Sequence, residues 1–239
     1  MPEAIIGTSG WAYSTWKPAF YPAKLASKNF LSHYAGQLRG VEVNYSFRRF
    51  VPEKIQNAWI EATPPEFRFA VKAHQTITHI KRLKDAEGFT RSFIESLRPL
   101  ASAGRLGPVL FQLPPFMRSD AALLRDFLAA LPRSRELRYT FEFRHASWFA
   151  EEIYDVLRKS NAALCQAESE KIETPRGCTS DFCYYRFRKP EYSPEGLKNL
   201  TAELAAQLQA GRAVFAFFKH EETPEGALMA REVQSRLKS

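Results

Sequence analysis

Strand-like and helix-like patterns alternate along the whole chain. The strand-like segments are short apolar runs with few polar positions, a pattern typical of strands that are buried on both faces. Most of the segments between them are amphipathic, as helices that cover a sheet are. The apolar runs predict eight strands, at Ile5–Gly10, Gly40–Asn44, Phe67–Lys72, Pro108–Leu113, Arg138–Arg144, Ala162–Ala167, Phe182–Phe187 and Ala213–Lys219.

Helix signals lie between most of these strands. Pro52 opens one helix, Thr63-Pro64-Pro65 ends it, and Ser193-Pro194-Glu195 is a strong start for another. Residues 168–180 are too polar and too interrupted by glycine and proline for a helix, so we expect a loop there. The other predicted helices occupy residues 23–36 and 86–103, and follow Ser119, Ser147 and Thr223-Pro224-Glu225.

Eight such units in 239 residues predict a single α/β domain over residues 1–239. The expected architecture is a TIM-type (β/α)8 barrel that lacks a regular helix between its sixth and seventh strands. An open doubly wound sheet is the alternative. It is weakened because Gly7-Thr8-Ser9-Gly10, after the first strand, does not have the G-x-G-x-x-G spacing of a dinucleotide site.

The predicted fifth strand has one apolar face and one charged face. Its odd positions from Tyr139 to Phe143 are aromatic, and they alternate with Thr140, Glu142 and Arg144. Because successive side chains of a strand point to opposite faces, we expect the aromatic face to lie under helices and the charged face to point toward the barrel axis.

Polar or charged residues stand at nearly every predicted strand end, and the carboxyl ends of barrel strands meet on one catalytic face. The same alternation points Glu42, Lys72, Glu142 and Arg186 toward the axis, where opposite charges should pair. A salt-bridge network that only plugs the barrel is the structural alternative to a ligand site. The candidate catalytic residues are Glu42, Glu142 and His145, and the candidate substrate-binding residues are Trp11, Asn44, Lys72, Gln112, Arg144, Trp148, Arg186 and Lys219.

Charge narrows the class of partner. The formal net charge is +8 and the isoelectric point is about 9.4, which favours phosphate-bearing or other anionic ligands and allows nucleic acid. The positive charge is spread along the chain, so a solvated basic surface is the alternative. No apolar stretch is long enough for a membrane span, and we expect a soluble cytoplasmic protein without a membrane partner.

The three cysteines are an odd number, and no two of them have C-x-x-C spacing. Cys178 and Cys183 fall near strand-like or loop sequence, and Cys165 lies in the predicted sixth strand. This distribution suits reduced thiols better than disulfides or zinc ligands.

Three chemistries compete at the strand ends. Lys72, Arg144, Arg186 and Lys219 can cradle a phosphate or a carboxylate. Glu42 and Glu142 can instead act as an acid and base pair for glycoside cleavage, although nearby cations would hold both ionised. A metal site is least favoured, since no ligand spacing such as H-E-x-x-H is present, and the sequence leaves the cofactor unknown. Its possible ligands are Glu42, Glu142, His74, His79, His145 and His220.

The chain resembles the domain of unknown function 72 family, also called YecE-like proteins. The motifs that carry the resemblance are Gly7-Thr8-Ser9-Gly10-Trp11 with Trp16 and Phe20-Tyr21-Pro22, Val41-Glu42-Val43-Asn44 with Phe47, Phe69-Ala70-Val71-Lys72 with Thr78-His79, Gly107-Pro108 with Gln112-Leu113-Pro114-Pro115, Glu142-Phe143-Arg144-His145 with Ser147-Trp148, and Tyr185-Arg186.

The resemblance implies a TIM-type barrel, a cytoplasmic location and no established activity. The family commonly has aromatic-Asn-Asn after the eighth strand, where this chain has Phe218-Lys219-His220. The basic cluster at the strand ends makes a hydrolase acting on a phosphate-bearing or nucleic-acid-derived substrate the leading hypothesis, with Glu142 or Glu42 as general base. A non-catalytic nucleic-acid-binding module and a carbohydrate-active enzyme that uses both carboxylates are the alternatives.

Overall fold

The computed structural model describes residues 2–168, 172–219 and 222–237. Eight parallel strands close into a barrel in sequence order, and the eighth strand pairs with the first. The structure therefore confirms the predicted TIM-type barrel. The strands are β1 Ala4–Ser9, β2 Gly40–Val43, β3 Arg68–Lys72, β4 Leu106–Gln112, β5 Tyr139–Glu142, β6 Ala163–Ala167, β7 Phe182–Phe187 and β8 Ala213–Phe218.

Helices cover the outside of the barrel. None in the described ranges is long and apolar enough to cross a membrane. The α-helices are α1 Phe30–Ala35, α2 Glu53–Glu61, α3 Glu87–Ser96, α4 Arg98–Ser102, α5 Ala121–Ala130, α6 Glu151–Lys159, α7 Pro194–Gln209 and α8 Glu225–Arg236. Short 3-10 turns occupy Ser14–Trp16, Ser27–Asn29, Tyr45–Phe47 and Ala146–Trp148, and a π-helical turn occupies Thr76–Ile80.

Several helix boundaries differ from the prediction. The helix expected over residues 86–103 is broken between α3 and α4 at Leu97, two residues before Pro99, because proline has no N–H to donate and its ring crowds the preceding turn. The helix expected over residues 23–36 is α-helical only in α1. The cap of α5 is Asp120 and not Ser119, since the Asp120 carboxylate accepts a hydrogen bond of 2.9 Å from the Leu123 amide.

The connection between β6 and β7 has no helix in its described part, residue 168 and residues 172–181, as predicted. Thr179 ties this connection to β6, because its hydroxyl accepts from the Leu164 amide at 2.8 Å and donates to the Ala162 carbonyl at 2.7 Å. A disulfide joins Cys178 to Cys183, so the expectation that these thiols are reduced was wrong. The chain returns alongside the start of β7 and places the two Cα atoms 5.9 Å apart, within reach of a disulfide.

Two apolar cores lie on either side of the barrel wall. The inner core fills the lower barrel with side chains such as Ile5, Leu110 and Phe215. The outer core lies between the strands and the helices and contains Tyr139, Phe141 and Phe143. The aromatic face of β5 is thus under the helices, as predicted. Above most of the inner core, the side chains that point into the barrel at the carboxyl ends of β2, β3, β4, β5 and β7 are polar.

A candidate anion site at the barrel mouth

We use the term barrel mouth for the space at the carboxyl ends of the strands, lined by Glu42, Lys72, Gln112, Glu142, Arg144, Arg186 and Arg188. Each of these side chains has the inward phase of its strand, so alternation along β2, β3, β4, β5 and β7 brings them together. Glu42, Gln112, Glu142 and Arg186 are buried, whereas Lys72, Arg144 and Arg188 are partly exposed.

Arg186 joins the two carboxylates across the barrel. Its Nη2 donates to Glu42 Oε1 at 2.7 Å, and its Nη1 donates to Glu142 Oε2. The guanidinium side chain is 5% exposed, and the two glutamate side chains are 0% and 2% exposed. Charges this deeply buried are stable only when paired, and one guanidinium fork serves both carboxylates.

The remaining acceptor positions of Glu42 are also filled. Ser9 donates its hydroxyl to Glu42 Oε1 at 2.9 Å, and Tyr184 donates to Oε2 at 2.8 Å. Asn44 adds a longer contact of 3.4 Å from Nδ2 to Oε1. Glu42 is therefore held in one orientation at the base of the mouth.

Glu142 is surrounded by donors from three strands. Gln112 Nε2 donates to Oε2 at 2.8 Å, and Arg144 Nε donates to Oε1 at 2.8 Å. Arg188 Nη2 lies 3.8 Å from Oε2, as an ion pair without a hydrogen bond. Arg188 was missed by the sequence analysis, although it follows Arg186 by two positions and so has the same inward phase.

This environment keeps both carboxylates ionised. Burial by itself would raise the pKa of Glu42 and of Glu142, but the Arg186 guanidinium, together with Arg188 and the hydrogen bonds to each carboxylate, outweighs burial and holds both pKa values below the usual range. Arg188 acts on both carboxylates, and Arg144 lowers the pKa of Glu142 as well. A carboxylate with so low a pKa is a weak base and is not protonated near neutral pH.

Cations outnumber carboxylates at the mouth. Among the described residues, four cationic side chains, Lys72, Arg144, Arg186 and Arg188, face two carboxylates, Glu42 and Glu142, which leaves a formal excess of two positive charges. The Nε and Nη2 atoms of Arg188 are shielded from solvent and donate to no hydrogen-bond acceptor among the described residues. Buried donors without acceptors are costly, and an anion would satisfy both the charge and the donors.

Lys72 is the one amine of this group. Its Nζ donates to Gln112 Oε1 at 2.8 Å and lies 4.2 Å from the centre of the Phe47 ring. Burial, with Arg186 nearby, lowers the pKa of Lys72 to about 8. Burial also lowers the pKa of His79, whose ring makes an edge contact with Phe47 at 5.0 Å. Of these two groups, Lys72 carries its proton at neutral pH and can release it with little cost.

His145 and Trp148 lie away from this network. His145 Nδ1 accepts from the Ser147 amide at 3.1 Å and thereby caps a 3-10 turn. The sequence predicted Ser147 as the cap of α6, but Ser147 does not cap this helix. Its hydroxyl accepts a hydrogen bond from the Ser119 amide at 2.8 Å. Trp148 is completely buried, stacks on Phe143 at 4.5 Å and donates from Nε1 to the Met117 carbonyl, so its surface is not available to a ligand.

Two other candidates lie at the margin of the mouth. Trp11 is partly buried and makes an edge contact with Trp59 at 5.3 Å. Lys219 has an exposed side chain, and its backbone amide donates to the Phe187 carbonyl at 2.8 Å. His220 lies outside the described residues. Within the described ranges, no three His, Cys, Asp or Glu side chains are grouped as metal ligands would be.

The fold and the site define a TIM-type barrel protein with a charged, cation-rich mouth. The chain belongs to the family described as "Protein of unknown function DUF72", whose model matches residues 5–239. It is 31% identical over 157 residues to the UPF0759 protein YunF of Bacillus subtilis (strain 168), a match that covers 63% of this chain and 54% of YunF. It is 30% identical over 146 residues to the UPF0759 protein YecE of Escherichia coli (strain K12), which covers 61% of this chain and 50% of YecE.

The chain thus spans about half the length of these two relatives. A crystal structure of a DUF72 family protein from Thermotoga maritima has the same fold, with a TM-score of 0.87 and 26% sequence identity. That match covers 99% of this chain and 100% of the other. The family membership confirms the resemblance stated from the sequence motifs.

Proposed function

We propose that the barrel mouth binds a phosphate-bearing substrate and that the protein is a hydrolase of phosphate esters. The observation that supports this proposal is the excess of two positive charges at the mouth, together with the unused donors of Arg188. Arg144, at 34% side-chain exposure, stands at the entrance, and Arg188, at 17%, stands deeper. Two guanidinium forks at different depths suit a tetrahedral group with several oxygens.

The proposed roles follow from the contacts. Arg144 and Arg188 bind the phosphate oxygens, and Arg186 adds positive charge beneath them. Water attacks phosphorus and passes one proton to a phosphate oxygen, and the bond from phosphorus to the ester oxygen breaks. Lys72 Nζ gives its proton to the leaving oxygen and regains a proton from solvent. Glu42 and Glu142 hold the cations in place and exchange no proton. This assignment replaces the general-base role predicted for them, because their pKa values are held too low.

The same contacts disfavour the carbohydrate-active alternative. A glycosidase needs one carboxyl group that is protonated before it acts. Arg186 lies between Glu42 and Glu142 and donates to both, so neither is available as a general acid. A non-catalytic module remains the second candidate, because the cation excess also suits binding without turnover.

Replacing Arg188 with glutamine tests the anion site. The loss of one charged donor is expected to weaken the binding of inorganic phosphate by about tenfold or more, measured by isothermal titration calorimetry. Arg91→Gln is the matched control, since it removes the same charge from an exposed position on α3. Equal phosphate binding by both variants, or none by the wild type, would contradict the proposal. Turnover of an aryl phosphate ester tests the hydrolytic step, and binding without turnover would leave the second candidate.

The pKa of Lys72 makes anion binding dependent on pH. Sulfate is the suitable probe, because its own charge does not change in this range. Since the pKa of Lys72 is about 8 in the free protein, the amine is mostly charged at pH 7 and mostly neutral at pH 9. Sulfate affinity is therefore expected to fall by up to about tenfold between these pH values. Lys72→Met should bind sulfate weakly and with a flat profile; a profile in this variant as steep as that of the wild type would show that another group titrates.

A further inference from the structure

Exposed apolar side chains follow three consecutive strands at the barrel mouth. Tyr45 follows β2 and is 43% exposed, Ile80 follows β3 and is 67% exposed, and Phe116 follows β4 and is 61% exposed. The described residues have one further exposed large apolar side chain, Ile55, on the outer surface of α2. Water-exposed aromatic rings confined to one side of a binding site indicate a contact surface.

The three connections that carry these side chains touch one another. We call them the rim, made of residues 44–52, 73–86 and 113–120. The Phe47 ring contacts the His79 ring at 5.0 Å, which joins the first connection to the second. The guanidinium of Arg82 lies 5.0 Å from the centre of the Phe116 ring, which joins the second to the third. The rim is therefore one continuous surface.

The rim is also strongly basic. Its sequence contains six lysines and arginines against two aspartates, an excess of four positive charges. The cations are interleaved with the exposed rings, since Arg49 covers Tyr45 at 5.1 Å as Arg82 covers Phe116. Aromatic faces beside guanidinium groups are suited to flat rings joined by negatively charged links.

The rim is continuous with the anion site. Lys72 Nζ lies 4.2 Å from the Phe47 ring centre, and Ser46 donates its hydroxyl to the Lys72 carbonyl at 2.6 Å. A chain whose phosphate enters the mouth beside Lys72 would therefore leave it across Phe47 and reach the exposed rings on either side.

We propose that the rim binds a single-stranded nucleic acid, with bases stacked on Tyr45 and Phe116 and one phosphate in the mouth. The inference rests on the proposed function for that phosphate and adds the class of substrate to it. Single strands fit because their unpaired bases expose their faces for stacking. A duplex presents mainly phosphates, and an acidic peptide presents charge without aromatic planes, so neither would use the exposed rings.

The probe is a fluorescein-labelled oligothymidylate of about twelve nucleotides, followed by fluorescence anisotropy. We expect it to bind more tightly than a duplex of the same length or poly-aspartate at equal ionic strength. The double variant Tyr45→Ala/Phe116→Ala should weaken this binding by about tenfold or more, since stacking on each ring contributes substantially to affinity. Phosphate binding, measured separately by calorimetry, should be unchanged in it.

Two control variants separate stacking from other effects. Tyr45→Phe/Phe116→Tyr keeps both rings and should retain the affinity, whereas Ile55→Ala removes exposed apolar surface elsewhere and should have no effect. Equal binding of duplex, poly-aspartate and single strand would overturn the inference, as would an equal loss in Ile55→Ala or a loss of phosphate binding in the double alanine variant. If phosphate binds but the oligonucleotide binds no tighter than phosphate, the rim proposal is wrong and the proposed function stands. If phosphate does not bind, the proposed function is wrong.

Discussion

Replacing Arg186 with methionine is expected to lower the free energy of unfolding by about 3–5 kcal/mol. The variant leaves two carboxylates, those of Glu42 and Glu142, in positions that are almost fully buried and without their shared cation. An unpaired buried charge costs far more than the pair contributes, because its hydration is not recovered. Urea denaturation followed by far-ultraviolet circular dichroism measures the change.

A double variant separates the loss of pairing from the loss of packing. Arg186→Met combined with Glu42→Gln removes the carboxylate that has no other contacting cation among the described residues, and Glu142 keeps its ion pairs with Arg144 and Arg188, so most of the lost stability should return. If the double variant were as unstable as Arg186→Met alone, the shape of the Arg186 side chain, and not its charge, would account for the loss. If Arg186→Met were as stable as the wild type, the network would have no structural role.

Replacing Trp148 with alanine is expected to destabilise the protein by a similar amount, about 3–5 kcal/mol. The indole is completely buried, and it stacks on Phe143 with the ring planes 2° from parallel. Its removal leaves a cavity in the outer core and an unpaired carbonyl at Met117. The same denaturation measurement tests this.

Trp148→Phe is the control for the alanine variant. It keeps an aromatic ring against Phe143 and loses the hydrogen bond to Met117, so its loss of stability should be smaller. Neither variant should change phosphate affinity by more than a small factor at a temperature where both are folded. A large loss of phosphate affinity in Trp148→Phe would show that this residue contributes to phosphate binding.

The barrel could be predicted because each strand is a short apolar run bounded by polar or helix-forming sequence. Alternation then placed Glu42, Glu142 and Arg186 on the inner face, and the structure shows their contacts. The break between α3 and α4 at Leu97 was harder to predict from the sequence. Pro99 in the predicted helix was a signal for it, but proline is also tolerated in the first turn of a new helix, as in α4.

The features that could not be predicted depend on contacts between distant segments. Alternation gives Arg188 the inward phase, but it lies one residue beyond the end of β7, and its place in the mouth depends on neighbours from other strands, such as Glu142. Trp148 follows several polar residues. The carbonyl that accepts its indole hydrogen bond in the core, that of Met117, belongs to the distant connection after β4. The disulfide of Cys178 depends on the return of a loop that has no periodic pattern.

The bridge made by Arg186 has a consequence for the order of folding. Its two carboxylate partners are 144 and 44 positions away along the chain. Because loop closure over such separations is slow, the guanidinium cannot contact both carboxylates until the first, middle and last thirds of the chain have met. A half-barrel of β1–β4 would leave Glu42 without its cation, so partly assembled forms are disfavoured. The same three residues that prepare the mouth for an anion thereby make closure of the barrel cooperative.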